Sequence, residues 1–182
     1  MPLTIRAAGE GDAAACAAIY RPYVLDTAVT FEVEPPTADE MAHRMEAAAR
    51  SHAWLVAEAN GGVIGYAYAG PFAVRPAYRW SCEVSVYLET GRRRTGAGRA
   101  LYEALFPRLV ERDYRVAVAK MTLPNDASMG LHAALGFLPV GVHRRIGWKS
   151  GAWHDVAIAQ LDLSTGGEPP NIASPDDVPH TP

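Results

Sequence analysis

Long apolar runs are missing from this chain, and so is any excess of positive charge. No stretch reaches the roughly 20 consecutive apolar residues that cross a bilayer. The first residues, MPLTIRAAGEGD, lack the basic-then-apolar order of a secretion signal. A formal net charge of -3 provides no field for wrapping nucleic acid or for lying on an anionic membrane. Cysteine is scarce: Cys16 and Cys82 cannot build a disulfide framework and read as small buried residues of a reducing compartment. No cysteine-histidine spacing suits zinc. These absences together predict a soluble, cytoplasmic, metal-free protein without nucleic-acid or membrane partners.

What is present suits a globular fold. At 182 residues and 49% apolar, the chain is long enough for one domain with a real core. LTIRAA reads as a strand, followed by an alanine-rich helix over 9–25 with Asp12 as its cap. An extended segment over 27–36 ends in two prolines, and Thr37 with Glu40 has the form of a capping box opening a helix through Arg50. AWLVAEA and GVIGYAYAG are strands joined by Asn60-Gly61-Gly62, a hairpin signal because these residues tolerate positive φ. A loop with Arg75 and Tyr78 leads to the alternating run 80–88. Beyond it, Leu101, Leu105 and Leu109 with Tyr102, Phe106 and Val110 form one wide apolar helix face. Pro107 predicts a kink or an early end of that helix. A strand over 114–123, a helix opened by Asn125 and Asp126 and closed by Gly136, and a strand pair over 138–163 complete the order. The pattern is α/β with a mixed sheet in a single domain over 1–163. From Ser164 the chain is rich in proline and poor in large apolar residues, which predicts a flexible tail over 164–182.

The chemistry concentrates in 80–99, WSCEVSVYLETGRRRTGAGR. Strand alternation puts Glu83, Ser85 and Tyr87 on one face and Cys82, Val84, Val86 and Leu88 on the other, so a carboxylate stands in mid-strand. Arg92, Arg93, Arg94, Thr95, Gly96, Ala97 and Gly98 then form a basic, glycine-rich entry to a helix. Unpaired N–H groups and the helix dipole make such a start an anion site. No Gly-Lys-Ser/Thr follows and no third glycine falls over Arg99 to Leu101, so neither a Walker loop nor a dinucleotide fingerprint is present. Taken alone, Gly-x-Gly also fits a plain strand-to-helix turn.

Arg93, Gly96 and Gly98, read as R-x-x-G-x-G after a strand, resemble the pyrophosphate signature of the GCN5-related N-acetyltransferases (GNAT). YAGPFAVRPAYRW, EVSVY, RRTGAGRALY, LPNDAS, HAALGF and WHDVAIAQLDL are similar to the phosphinothricin and methionine sulfoximine acetyltransferases of that superfamily. The resemblance implies one GNAT-fold domain with a mostly antiparallel mixed sheet flanked by helices and splayed between the strands at 80–88 and 114–123. It implies acetyl-CoA as co-substrate, with Arg93, Arg94, Thr95, Gly96, Ala97, Gly98 and Arg99 at the pyrophosphate. Val86, Tyr87 and Leu88 would line the pantetheine arm with their backbone, and Asn125 and Ser128 would contact the cofactor. Glu83 would be the general base. His132, which stands where the superfamily usually has a tyrosine, would be the acid or an orienting partner of Glu83. Phe31, Arg75 and Tyr78 match substrate-pocket positions, Arg75 being able to pair with an anion. Trp153 and His154 also match, and would belong to the pocket across a homodimer interface. Ala73 departs from the lysine often found two residues before that arginine. The expected reaction is acetylation of the α-amino group of a small amino acid or analogue. Other amines (a protein N-terminus, a polyamine, an aminoglycoside) and a non-catalytic acyl-CoA sensor are the alternatives.

Overall fold

The computed structural model describes residues 3–92, 95–164 and 167–168. The strands are β1 (Thr4–Ala7), β2 (Trp54–Ala59), β3 (Gly62–Pro71), β4 (Ser81–Leu88), β5 (Val116–Thr122), β6 (Leu138–Lys149) and β7 (Ala152–Asp162). The helices are α1 (Ala13–Asp26), α2 (Ala38–Ser51), α3 (Ala97–Val110) and α4 (Asp126–Ala134). Among the described residues the strands form one sheet in the order β1-β2-β3-β4-β5-β7-β6. Every neighbouring pair is antiparallel except β4 with β5, which run parallel.

That exception positions the site. β4 and β5 pair only from Ser81 to Glu83 and from Val116 to Val118. β4 then continues to Leu88 beside β3, and β5 to Thr122 beside β7, so the sheet opens into a wedge.

The two sheet faces bury different residues, as strand alternation dictates. One face packs Cys82, Val84, Ala117, Ala119 and Met121 under Leu101, Tyr102, Leu105 and Leu109 of α3. Burying each of those leucines is worth about 1.5–3 kcal/mol, and this stripe holds α3 across the wedge. The other face packs Trp54, Val56 and Tyr66 against α1 and α2 through Cys16, Tyr20, Met41 and Met45. Both cysteines are free and buried, and burial pushes each thiol up to about 12, which makes them inert fillers.

Several local expectations hold. Thr37 and Glu40 form the capping box, Asn60 and Gly61 take positive φ in the hairpin, and Gly136 does so just past α4.

One expectation needs correction. Asp12 does not cap α1; it closes a short 3-10 turn, accepting from the Gly9 N–H at 2.8 Å and from both Arg6 guanidinium nitrogens at 2.7 Å. The arginine, out of view in the linear pattern, outcompetes the helix end for the carboxylate. At Pro107, where a kink or an early end is expected, α3 runs on for one turn and stops at Val110. There the Arg108 guanidinium donates to the Ala104 carbonyl at 2.7 Å, serving a carbonyl in the turn that the proline disturbs. The tail falls almost wholly outside the described residues.

Candidate active site

The wedge between β4 and β5 is lined by Val84 to Tyr87 from one strand, Lys120 and Met121 from the other, and Tyr102, Asn125, Ser128 and His132 from the helices beneath. Its walls expose main chain as well as side chains. The Glu89 N–H bonds the Ile64 carbonyl at 2.8 Å, which makes Leu88 and Gly65 a pair whose own backbone groups point out of the ladder. With alternation, Val84, Val86 and Leu88 turn their N–H and C=O groups into the wedge. Tyr87 turns its backbone toward β3 instead, so of the three residues expected to line the pantetheine arm with main chain, only Val86 and Leu88 turn theirs into the wedge. The Leu88 carbonyl accepts from the Tyr23 hydroxyl at 2.7 Å, and the Tyr87 ring packs edge-on against Tyr20 and Tyr23.

At the mouth of the wedge stands the start of α3. Gly96 has φ +81 and provides no side-chain cap, and the first helical bond runs from the Ala100 N–H to the Gly96 carbonyl at 3.0 Å. Ala97, Gly98 and Arg99 thus have N–H groups without helical acceptors, directed out along the axis. Here the two glycines part roles. Gly96 supplies a left-handed backbone with open space beside it, whereas a Cβ on Gly98 would come within 3.3 Å of Leu131 and 3.7 Å of Leu88, so its smallness lets α3 dock on α4 and β4. The Thr95 hydroxyl donates to the Arg92 carbonyl at 3.1 Å and steadies the turn. Arg99 bonds Glu103 at 2.9 Å and the Ala134 carbonyl at 3.0 Å, so its charge is shared with α4. Arg93 and Arg94 lie outside the described residues.

Glu83 and His132 are not partners. Glu83 lies on the α1/α2 face, where it pairs with Lys120 at 2.6 Å. His132 lies on the α3 face, 4% exposed. Its Nδ1 meets the Ser128 carbonyl at 2.8 Å, and a carbonyl only accepts, so Nδ1 carries the proton. Nε2 then accepts from the Tyr102 hydroxyl at 3.1 Å. Burial lowers the pKa of His132, with the Ser128 bond opposing, so the ring is held neutral. Burial raises that of Tyr102 and keeps its hydroxyl protonated. Asn125 caps α4, its Oδ1 accepting from the Ser128 N–H at 3.2 Å.

The pocket residues fall into two groups. Tyr78 meets Phe72 edge-on at 5.4 Å, Phe72 lies under the Lys120 ammonium at 5.9 Å, and exposed Arg75 begins the same 3-10 turn as Tyr78. Phe31 instead lies over Gly147, where any side chain would overlap its ring, and beside His154. Buried Lys149 fixes that loop by donating to the Thr30 carbonyl at 2.7 Å. Trp153 is half exposed, edge-on to Trp148 and under Arg145. Lys120, Tyr102 and Phe72 were not singled out from the sequence. Only Lys120 carried a signal there: it is the one charge in the mostly apolar VAVAKMT. Among the described residues, no group of three or more histidine, cysteine or acidic side chains could hold a metal.

Comparison with known proteins follows the same lines. Residues 5–158 match the acetyltransferase (GNAT) domain family. The chain is 39% identical to the phosphinothricin N-acetyltransferase of Streptomyces viridochromogenes, over 92% of each chain. It is 35% identical to the L-methionine sulfoximine/L-methionine sulfone acetyltransferase of Pseudomonas paraeruginosa, over 90% of this chain and 96% of that one. A GNAT phosphinothricin acetyltransferase from Sinorhizobium meliloti, solved with acetyl-CoA, superposes with a TM-score of 0.90 at 36% identity, over 97% of this chain and 98% of that one.

Proposed function

The chain belongs to the GNAT acetyltransferase family, and on that premise we propose that it acetylates the α-amino group of a small amino acid or analogue by direct transfer. It is an acetyl-CoA-dependent N-acetyltransferase of the phosphinothricin and methionine sulfoximine type. The observation that carries the finer reading is a carboxylate, Glu83, on the lip of a wedge that ends at a helix start with unpaired N–H groups.

Acetyl-CoA supplies an activated acyl thioester. The α3 start, with its unpaired N–H groups, receives the pyrophosphate, and the main chain of Val86 and Leu88 lines the arm. The Val86 N–H, fixed in the wedge wall, donates to the thioester oxygen where negative charge develops. Glu83 takes one proton from the acceptor ammonium and frees the nitrogen lone pair. As the C–N bond forms and the C–S bond breaks, the nitrogen gives up a second proton and the sulfur gains one, so the balance closes without a charged histidine. The Tyr102 hydroxyl proton is held by neutral His132 Nε2, which leaves the phenol oxygen to accept a hydrogen bond from the S–H group as it forms.

Replacing Glu83→Gln removes the base and keeps the shape. Acceptor turnover should fall about 10²–10⁴-fold, with the Kd for acetyl-CoA unchanged by calorimetry. Unaltered turnover removes Glu83 from the chemistry.

The second copy of a homodimer would cover β6. This edge strand exposes Leu138, Val140, Val142, Ile146 and Trp148, with Trp153 beside them. Such an unpaired apolar edge invites self-association, and a two-fold pair closes it. Sedimentation should give a dimer for the wild type and a monomer for Trp148→Lys; a monomeric wild type removes this interface.

A further inference from the structure

Glu83 and Lys120 form a charge pair that is built, exposed and unaccounted for by the transfer chemistry. Lys120 stands on β5, on the face opposite to the buried Ala119 and Met121, and so on the same face as Glu83. The strands have already parted there, since their last paired residues are Glu83 and Val118. The two side chains thus reach toward each other from opposite lips of the wedge and meet at 2.6 Å. The Lys120 ammonium also lies 5.9 Å from the centre of the Phe72 ring, which leads on to Tyr78 and the Arg75 turn. Lysine and glutamate are 42% and 32% exposed, so an incoming molecule can reach both. An exposed ion pair of this kind is worth about 0–1 kcal/mol, weak enough to be exchanged.

An acceptor ammonium must approach Glu83, and it meets Lys120 already there. A simple amine adds a second cation to the first. An α-amino acid avoids that repulsion because it carries its own anion two bonds from the nitrogen. Laid against the pair in the opposite sense, its ammonium faces Glu83 and its carboxylate faces Lys120. An ammonium has three donors, so Lys120 can hold the carboxylate without wholly releasing Glu83. Arg75, for which no ion pair is formed among the described residues, is then left for an anionic group on the acceptor side chain.

We infer that Lys120 binds the acceptor's α-carboxylate, so that the Glu83–Lys120 pair selects zwitterionic amino acids over amines lacking that group. The inference rests on the acceptor reading given above, and names the residue that enforces it.

The test compares an amino acid with its own amide: methionine sulfone against methionine sulfone carboxamide, followed by CoA thiol release at saturating acetyl-CoA. Wild type should prefer the acid in kcat/KM by about 10- to 100-fold, the span of one hydrogen bond to a charged group. Lys120→Met should lose that preference through a raised KM for the acid and an unchanged or lowered KM for the amide, whose ammonium no longer meets a second cation, and Lys120→Arg should recover part of it. Unchanged melting temperature and acetyl-CoA affinity establish that Lys120→Met is folded. If Lys120→Met keeps the wild-type preference, or weakens acid and amide equally, Lys120 does not read the carboxylate. If wild type acetylates neither compound yet acetylates spermidine or a peptide N-terminus, the acceptor reading itself falls and this inference with it.

Discussion

Gly65→Ala should damage the wedge from the far side of its wall. Gly65 is buried on β3 opposite Leu88, the last residue of β4. An added Cβ would overlap the Leu88 Cδ2 atom and lie 2.9 Å from the Tyr87 carbonyl oxygen, 0.5 Å short of the 3.4 Å at which ordinary contact begins. The leucine tip can rotate, but the carbonyl is main chain and cannot. The end of β4 must therefore move by about that amount, and overpacking of this kind costs about 1–3 kcal/mol. Alanine restricts the unfolded chain more than glycine does and returns about 0.4–1 kcal/mol. The net loss is about 1–2 kcal/mol, or about 2–8 °C in Tm for a chain of this size. The shift has a functional signature as well. Leu88 packs beside Gly98 at the start of α3, so the wedge wall and the anion site move together and the KM for acetyl-CoA should rise while that for the acceptor changes less. Thermal scanning and initial rates over an acetyl-CoA series measure both. A Tm within about 1 °C of wild type, with an unchanged KM, would refute the reasoning.

Tyr102→Phe removes the donor to His132 Nε2 and strands a buried acceptor, a loss of about 1–3 kcal/mol in stability. Turnover should drop roughly 10-fold for one lost hydrogen bond at constant acetyl-CoA Kd; full turnover would remove Tyr102 from the sulfur's surroundings. Stability against acid should depend on Asp12, whose pKa is held low first by its hydrogen bonds from Arg6, against a smaller cost of burial. Its folded value lies below the unfolded one of about 3.9, so its contribution is complete above that pH and drains away as pH falls through the folded value. Arg6 is 38% exposed, which discounts the pair to about 1–2 kcal/mol. Asp12→Asn should lower Tm at pH 7 and flatten its fall below about pH 4; parallel curves for the two proteins would exclude the linkage.

Much of this was legible in the chain because it is written in local patterns. Period-two alternation over 81–88 placed Glu83 on a strand face, the capping box of Thr37 and Glu40 marked α2, and the glycines at 96 and 98 marked the turn into α3. What escaped depends on partners far along the chain. Lys120 went unremarked within its strand, since nothing in VAVAKMT says that a carboxylate lies across an unpaired gap. Tyr102 read as part of an apolar stripe, because periodicity reports the face a residue takes and not where its hydroxyl points. Gly65 sat unremarked within a strand, although the backbone opposite leaves room for nothing larger. Gly98 was read for closeness to a phosphate, and its packing against Leu131 comes from α4, a segment that only the folded chain brings near.

The sheet also has a mechanical side. Its two halves, β1 to β4 and β5 to β7, are joined in the sheet by a parallel seam only three residue pairs long. Below the wedge, α3 and α4 span the halves like a strap, while above it, among the described residues, no strand closes the opening. On the proposed reading, a bound pantetheine arm lies where the missing ladder would have been and joins the loose edges of both halves. Binding that favours the folded chain adds about 2.7 kcal/mol at a ligand concentration of 100 Kd. The co-substrate then acts as a removable cross-brace, and the rigidity of the molecule rises and falls with the supply of activated acetyl groups.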